Sequence, residues 1–471
     1  DVFLQADKPL YNPGETIWFS VFMAEESRLS KPSLSDIVYV EILNPKGSIE
    51  KTFTLIGKGG KANGDFQLSA DAPGGVYKLK TYTRYMQNAG RETIREIQVQ
   101  ETVLPQLILT LELDRQAYKG GDPVSAVFTG SSLDNKPLTG SDIEISIVAG
   151  SQTLFNQQAQ TDAEGKFKIT CASLPPFPAG SSPVLNVLIQ YNGETESITK
   201  TIPTVDKDLL VYFFPEGGDF VQNEPGRIAF KVLKPDSTSA DAEGWLVNQK
   251  GEKLKAIKTL HRGMGSFELT PKAGEQYRIE WTSPLAYTST LPEALEKGYS
   301  LSAKAEKDAV RLSAGAPVSD NLLLVAEMRG RWLWDQTLKS VTRPEEVRIP
   351  VDKWPAGVVK FSLFDGRGLL RCERMVFVNA DKQLKISVKT DKERYQTRDK
   401  VTVNVRASDQ RGIPVPGQIS LSVVSDALLG FADDKQGNLV SGMLLEQDLN
   451  TKLEHPTFYF SKEAKANAAL D

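Results

Sequence analysis

The sequence predicts an all-β protein, a tandem array of β-sandwich domains with one short helix near the C-terminus. A phrase that runs from Asp through a basic residue and Tyr to an acidic residue occurs three times, at Asp7–Glu15, Asp114–Asp122 and Asp391–Asp399. Alternating apolar residues, typical of half-buried strands, follow each copy. A second phrase, Gly-x-Phe-x-Leu or Ile, starts at Gly64, Gly165 and Gly265, 101 and then 100 residues apart. A period of that length predicts successive copies of one β-rich domain.

The length of the chain sets the number of domains. Its 471 residues exceed what one hydrophobic core usually supports, and the repeat divides them into between four and five units. Hydrophobic residues make up 40% and charged residues 25%, with 36 Gly and 26 Pro, which is typical of a folded, turn-rich protein. We predict five domains, at residues 1–104, 105–206, 207–297, 298–380 and 381–471.

The strands of the first two domains are predicted from alternation. In the first, Val38, Val40 and Ile42 alternate with polar residues. In the second, the clearest strands are Leu107–Leu113, Ile143–Val148 and Val184–Gln190. Turn residues predict a linker at Glu101–Pro105 and a proline-rich surface loop at Leu174–Pro183.

The later domains depart from the repeat. The third keeps only the second phrase, and the fourth lacks both and is predicted from its size and its alternating strands at Leu322–Glu327, Val347–Val351, Val358–Leu363 and Arg374–Val378. The fifth opens on the third copy of the first phrase and includes a predicted strand at Ile419–Val424. After Ser425 the apolar spacing predicts one short helix, on Leu439, Val440, Met443, Leu444, Leu449 and Leu453.

The first phrase has a physical explanation as a turn. The Tyr packs over the edge of a sandwich, a Pro-Gly or Gly-Gly pair reverses the chain, and the following acidic residue can accept hydrogen bonds from backbone amides. We therefore interpret Asp7, Lys8, Tyr11 and their counterparts as structural residues.

Charge and hydropathy exclude several classes of partner. The 56 basic residues are interleaved with 60 acidic ones and the net charge is −4, so no basic stripe for nucleic acid is expected. Apolar runs such as Leu209–Phe214 are too short to span a bilayer. The chain opens directly on the strand-like residues Asp1–Leu4, so we expect any export signal to have been removed or to lie outside these residues. Cys171 and Cys372 lie in different repeats and are expected to be buried free thiols.

No catalytic cluster, cofactor site or metal site is predicted. The only histidines are His261 and His455, which are 194 residues apart. A Ser/His/Asp or Cys/His catalytic set would therefore form only if the fold happened to bring distant residues together. Adjacent acidic pairs would point to opposite faces of a strand. Asp433–Asn438 has only part of the oxygen-ligand pattern of a calcium loop, and metal binding there is the less favoured alternative.

Two local features are candidate binding sites. In Pro215–Asp219, Glu216 precedes Gly217 and Gly218, and consecutive glycines could expose amides that hold an anion, although a tight turn is the favoured alternative. Trp332 and Trp334 are two residues apart and so are expected on one face of a strand, as a carbohydrate platform or, preferably, as packing residues.

Beyond these patterns, the stretch DKPLYNPGETIWFSVFM resembles the opening of the macroglobulin-like, immunoglobulin-like β-sandwich domain of alpha-2-macroglobulins, complement-type thioester proteins and their bacterial relatives. Further stretches are similar to one bacterial family of large cell-envelope proteins, in which several such domains precede a TonB-dependent-receptor plug-like domain. They are Phe213–Val221, Ile228–Leu233, Pro355–Asn379, Gly412–Ala427 and, just before the plug region of that family, Asn438–Phe460.

The resemblance implies a location and a class of activity. It implies export, residence in the cell envelope of a gram-negative bacterium, in the periplasm or at the outer membrane or surface, and no catalytic residues. A thioester of the related inhibitors needs Cys-Gly-Glu-Gln, whereas Gly274-Glu275-Gln276 follows Ala273, and no long unstructured bait stretch is predicted.

We therefore expect a non-catalytic scaffold or binding ectodomain for an envelope protein or peptide, tethered at or near the outer membrane and linked to TonB-dependent transport. The alternatives are an alpha-2-macroglobulin-like endopeptidase inhibitor module without a thioester, and a carbohydrate-binding arm.

Overall fold

In a computed structural model the chain folds into small sheets that follow one another along the sequence, and nearly all of their strand pairs are antiparallel. The structure describes residues 1–25, 27–32, 35–100, 107–115, 118, 121–149, 152–175, 183–191, 193–203, 209–234, 238–341, 343–425, 437–451 and 453–470. The predicted linker at Glu101–Pro105, residues 176–182 of the predicted proline-rich loop and residues 433–436 of the calcium-like stretch lie outside them. The prediction of a mostly β protein is confirmed.

We call five consecutive groups of strands modules 1 to 5. Module 1 contains β1 (Val2–Ala6), β2 (Leu10–Tyr11), β3 (Thr16–Glu25), β4 (Arg28–Pro32), β5 (Ile37–Leu43), β6 (Ile49–Ile56), β7 (Lys61–Gln67), β8 (Gly75–Tyr82), helix α1 (Arg84–Asn88) and β9 (Thr93–Val99). Module 2 contains β10 (Leu107–Leu113), β11 (Val124–Ser132), β12 (Asp142–Ala149), β13 (Gln152–Gln160), β14 (Lys166–Cys171), β15 (Val184–Tyr191) and β16 (Glu194–Thr201).

Modules 3 and 4 each contain seven strands, as module 2 does. Module 3 contains β17 (Leu210–Pro215), β18 (Gly226–Leu233), β19 (Glu243–Asn248), β20 (Lys253–Lys258), β21 (Met264–Leu269), β22 (Tyr277–Ser283) and β23 (Tyr287–Thr290). Module 4 contains β24 (Ser300–Ala305), β25 (Ala309–Gly315), β26 (Asp320–Met328), β27 (Arg331–Val341), β28 (Glu345–Pro350), β29 (Gly357–Phe364) and β30 (Leu370–Val378). Module 5 contains β31 (Lys385–Thr390) and β32 (Val403–Ser408).

Modules 2, 3 and 4 share one topology, a three-stranded sheet with a four-stranded sheet. The three-stranded sheets are β10-β11-β14, β17-β18-β21 and β24-β25-β28, and the four-stranded sheets are β13-β12-β15-β16, β20-β19-β22-β23 and β27-β26-β29-β30. In module 1, β1, β4 and β7 all pair with β3, and the other sheet has the order β2-β9-β8-β5-β6, with β2 parallel to β9. Phe167 and Phe267 of the second phrase lie in the equivalent strands β14 and β21.

Modules 1, 2 and 4 each enclose a hydrophobic core between their two sheets. In module 2, Phe128 of the three-stranded sheet and Ile145 and Val187 of the four-stranded sheet are completely buried. Cys171 lies in this core and Cys372 in that of module 4, both as buried free thiols, as the sequence predicts. Apolar burial of this kind supplies most of the stabilisation of each module.

The first phrase forms a hydrogen-bonded corner in three modules. The Tyr11 hydroxyl donates to the Asp7 carboxylate at 2.5 Å, and the hydroxyl accepts from the Lys8 amide at 3.3 Å. The Asp7 carboxylate also accepts from the Trp18 amide at 3.0 Å. The acidic residue after the turn, Glu15, accepts from the Asn12 amide at 2.7 Å. Most of these hydrogen bonds join two residues of the phrase itself, as its interpretation as a turn predicts.

The same bonds recur in modules 2 and 5. The Tyr118 hydroxyl donates to Asp114 at 2.5 Å, and the Tyr395 hydroxyl donates to Asp391 at 2.8 Å. Tyr118 is only 1% exposed. Burial, together with the adjacent Asp114 carboxylate, raises the pKa of the Tyr118 hydroxyl far above its usual value. The neutral hydroxyl is thus fixed as a donor to Asp114.

Replacing Tyr118 by Phe is expected to lower the free energy of unfolding of module 2 by about 0.5–1.5 kcal/mol, because the Arg115 amide and the Asp114 carboxylate lose the hydroxyl that bonds to both, while the Asp114 side chain, 44% exposed, keeps contact with water. The measurement is native-state hydrogen exchange of the amides of β10 and β11. Tyr395→Phe is the matched control, since Tyr395 makes the same bond at a more exposed site, and its effect should be smaller. Equal losses in the two variants would contradict this prediction.

Module 5 differs from the others. Its two strands form a sheet on their own, and no strand is present at Ile419–Val424, so the prediction of a strand there is wrong. Within the part of the chain that the structure describes, Leu421 and Val423 are 56% and 84% exposed. The Ile419 carbonyl instead accepts a hydrogen bond from the Lys61 side chain of module 1.

A helical segment follows near the C-terminus, as predicted. It consists of an α-helical turn at Leu439–Ser441, a π-helical turn at Gly442–Glu446 and an α-helical turn at Gln447–Leu449. A 3₁₀ helix at Pro456–Phe460 and a helix at Ala466–Leu470 follow it. We call residues 437–460 the bridging segment. None of the helices in the described part of the chain combines the length and hydrophobicity that crossing a membrane requires.

The backbone divides into two compact units. One consists of Asp1–Thr102, Glu216–Val221 and Leu295–Asp471, and the other of Val103–Pro215 and Gln222–Ala294. Modules 1, 4 and 5 and the bridging segment thus belong to the first unit, and modules 2 and 3 to the second, apart from residues 216–221. The five domain boundaries remain predictions.

Candidate functional site

The Glu-Gly-Gly-Asp turn at residues 216–219 packs against the first strand of module 4. The Glu216 carboxylate accepts from the Ala303 amide at 3.1 Å and from the Arg374 guanidinium at 2.8 Å. The Asp219 carboxylate accepts from the Tyr299 amide at 2.9 Å, and the Asp219 amide donates to the Tyr299 carbonyl at 3.1 Å. Both acidic side chains therefore act as docking contacts within the first unit.

The two glycines allow this close approach. Gly217 has φ +67° and Gly218 has φ +141°, conformations that L side chains rarely adopt. A Cβ at Gly217 would overlap the carbonyl oxygen of Leu301, and one at Gly218 would lie 2.5 Å from the Cys372 sulfur. The atoms nearest to the Cβ positions of both glycines belong to module 4. Anion binding by the backbone amides of this turn stays a prediction.

The thiol of Cys372 lies beneath this turn. It donates to the Tyr299 carbonyl at 3.4 Å. Burial, and secondarily the negative charge of Asp219, raises the pKa of the Cys372 thiol to about 12. A thiol with that pKa stays protonated near neutral pH and is a poor nucleophile. Cys372 is therefore a packing residue of this contact.

The two tryptophans lie on different faces of β27, so the expectation of a shared face is wrong. A β-bulge shifts the register between Ala326, opposite Trp334, and Glu327, opposite Trp332. Trp334 packs against the core of module 4, whereas Trp332 is 63% exposed and donates to the Asp335 carboxylate at 3.1 Å. A carbohydrate contact remains a prediction for Trp332 alone.

The bridging segment contains a buried ion pair that no sequence pattern indicates. Asp448 accepts from Arg329 of module 4 in a bidentate arrangement, at 2.6 and 2.8 Å, and the two side chains are 4% and 5% exposed. Asp448 also accepts from the Val358 amide at 3.0 Å, and Arg329 donates to the Ala356 carbonyl at 3.1 Å. The charges are thus paired and hydrogen-bonded, the condition for burying them.

The bridging segment also contacts module 1. Gln447 donates to the Val2 carbonyl at 2.8 Å, and Gly442 lies so close to Phe3 that a Cβ would be 2.7 Å from the ring. A cavity of about 680 Å³ separates the rest of the segment from module 1, lined among others by Arg95 and Glu446. The segment therefore joins modules 1 and 4 within the first unit.

The described residues contain no group of three or more His, Cys, Asp or Glu side chains placed to hold a metal ion. The Ala273–Gln276 stretch lies before β22, where the Tyr277 hydroxyl donates to Glu275 at 2.8 Å. His261 lies next to β21, in a β-bridge with Met264, and His455 precedes the 3₁₀ helix.

In comparisons with known proteins, this chain is similar to an MG2 domain and to bacterial alpha-2-macroglobulins. The MG2 domain family model matches residues 1–99. An alpha-2-macroglobulin of Ralstonia nicotianae is 22% identical over 489 residues, which cover 89% of this chain and 29% of that protein. Trypsin-activated alpha-2-macroglobulin from Escherichia coli is 15% identical, with 87% of this chain and 33% of that chain covered and a TM-score of 0.47. Methylamine-reacted alpha-2-macroglobulin from Salmonella is 15% identical, with 94% and 34% covered and a TM-score of 0.42.

The chain spans about a third of the length of these relatives. Its first module lies within the matched range of the MG2 domain. The chain contains an MG2 domain at residues 1–99 and has alpha-2-macroglobulin-like homologues.

Proposed function

We propose that this chain is a non-catalytic, macroglobulin-type protein-binding region whose partner is a protease, and that it acts without a thioester of its own. The observation that carries the proposal is the similarity to an alpha-2-macroglobulin across 89% of the chain. The proposal takes the inhibitor alternative of the sequence analysis in preference to the scaffold linked to TonB-dependent transport. That link remains a prediction from sequence resemblance.

The geometry supports binding through surfaces. The acidic residues of the repeated corners and of the Glu-Gly-Gly-Asp turn are hydrogen-bonded to neighbouring backbone or side-chain groups. Contacts of this kind fix the local backbone geometry of the turns and position the strands around them. A protein partner would therefore contact the outer faces and edges of preformed sheets, which need little rearrangement on binding.

The proposed location is the cell envelope of a gram-negative bacterium. Its support is the resemblance of several stretches to bacterial envelope proteins and the bacterial origin of the alpha-2-macroglobulin relatives. An inhibitor there would meet proteases that enter from outside the cell.

The test is incubation of the purified chain with trypsin and with elastase, followed by size-exclusion chromatography and activity assays. We expect the protease to co-elute with the chain, to keep its activity on a small chromogenic peptide and to lose activity on a large protein substrate, as steric capture requires. Protease inactivated with an active-site serine reagent is the control for passive binding. Degradation of the chain to small fragments, or full activity on both substrates, would exclude this function.

A further inference from the structure

The edge strand β13 of module 2 carries no charged residue. It lies at the edge of the four-stranded sheet and pairs with β12, and in the part of the chain that the structure describes it pairs with no other strand. Its sequence, QTLFNQQAQ, contains no Asp, Glu, Lys, Arg or Pro. Module 2 has the same number of strands, in the same arrangement, as modules 3 and 4, so this edge is not a gap left by a missing strand.

The strands that take the same place in the other modules are charged. β6, β20 and β27 are edge strands that pair with β5, β19 and β26, as β13 pairs with β12. Their charged residues are Glu50 and Lys51 in β6, Lys253, Lys255 and Lys258 in β20, and Arg331, Asp335 and Lys339 in β27. The other edge strands of module 2, β10, β14 and β16, contain charged residues as well. Charged side chains on an edge strand discourage pairing with another edge, and β13 lacks that protection.

A hydrogen bond at the end of β13 identifies the backbone groups on its open edge. The Thr161 amide donates to the Ser141 carbonyl at 3.1 Å, so it points toward the β12 side of the strand. Backbone direction alternates from one residue to the next along a strand. The amides and carbonyls of Asn156, Gln158 and Gln160 therefore face the open edge.

The side chains of Asn156, Gln158 and Gln160 suit pairing with an identical strand. All three are exposed and uncharged, and an Asn or Gln amide both donates and accepts, so it can bond to another amide. The acidic residues of β12, Asp142 and Glu144, lie one strand further in. In two sheets joined edge to edge they would be separated from their own copies by about 14 Å, beyond the Debye length of about 8 Å.

We propose that two copies of this chain associate by antiparallel pairing of β13 with β13 about a two-fold axis at Gln158. In this register Gln158 faces its own copy and Asn156 faces Gln160, so all of the edge-facing groups are used and about six backbone hydrogen bonds form. The paired strands join the two four-stranded sheets into one. A contact of this size is small beside standard protein interfaces, so we expect weak, concentration-dependent association.

The test is sedimentation velocity of the full chain from about 5 to about 500 µM, with hydrogen exchange measured at both ends of that range. We expect the dimer fraction to rise with concentration and the amides of Asn156, Gln158 and Gln160 to exchange more slowly at the high concentration. No protease is present, so failure of this test leaves the proposed protease binding unaffected.

Charge reversal at the axis tests the register. Gln158→Lys and Gln158→Glu each place like charges opposite one another and should weaken association about fivefold. Mixing the two variants should restore it, because the introduced lysine then faces the introduced glutamate. Gln190→Lys is the matched control, since Gln190 is exposed on the same face of the sheet but lies in β15, two strands from the open edge. Its replacement should leave association unchanged.

A chain that stays monomeric over the whole concentration range would overturn the proposal. So would protection at other strands, equal effects of Gln158→Lys and Gln190→Lys, or no recovery on mixing. Assemblies that keep growing with concentration would indicate head-to-tail contacts in place of a closed two-fold dimer, and would overturn it as well.

Discussion

Replacing Asp448 by Ala is expected to lower the local unfolding free energy of the bridging segment by about 3–5 kcal/mol. Arg329 is 5% exposed and would keep a buried charge without its carboxylate, which is the costly way to break a buried pair. The Val358 amide would lose its acceptor as well. Native-state hydrogen exchange of residues 439–449 and of β29 measures the loss directly and does not require the whole chain to unfold in one step.

Glu373→Ala is the matched control in the same module. Glu373 lies 3.5 Å from Lys360, the two side chains are 41% and 36% exposed, and Glu373 also accepts from the Ser362 hydroxyl at 3.2 Å. Removing an exposed pair of this kind costs about 0–1 kcal/mol. The double variant Arg329→Met/Asp448→Leu should recover part of the stability lost in Asp448→Ala, because no unpaired charge remains. If Asp448→Ala and Glu373→Ala have the same effect, the buried pair does not hold the segment.

Replacing Gly217 by Ala is expected to destabilise the contact between residues 216–221 and module 4 by about 2–5 kcal/mol. A φ of +67° costs an L residue about 1–2 kcal/mol, and the overlap with the Leu301 carbonyl adds about 1–3 kcal/mol. The carbonyl is part of β24 and cannot move aside as a flexible side chain could. Hydrogen exchange at the Ala303 amide, which donates to Glu216, measures the loss.

The variant Gly90→Ala separates the conformational cost of a positive φ from the cost of the overlap with Leu301. Gly90 has the same φ of +67° in module 1, but nothing lies within 4 Å of the Cβ position. Its replacement should show the conformational cost alone, about 1–2 kcal/mol. Equal losses for Gly217→Ala and Gly90→Ala would mean that the overlap with Leu301 is relieved and that the turn does not depend on close approach.

Much of the fold could be predicted from the residues. The predicted fourth-domain strands at Leu322–Glu327 and Val358–Leu363 lie within β26 and β29, because the alternation that buries one face is visible in the sequence. The strand at Ile419–Val424 has the same alternation but does not form, because alternation marks a strand only where a neighbouring strand pairs with it. The bulge in β27 likewise put Trp332 and Trp334 on different faces, and no residue pattern indicates it.

The sequence by itself determined the corners of the modules, because Asp7 and Tyr11, like Asp114 and Tyr118, are four residues apart and meet through the local turn. Only the tertiary structure decided which distant groups meet. Arg329 and Asp448 are 119 residues apart and Glu216 and Arg374 are 158 apart. Such pairs depend on how whole sheets and segments pack, and a charged residue in a sequence carries no sign of the partner that packing will bring to it.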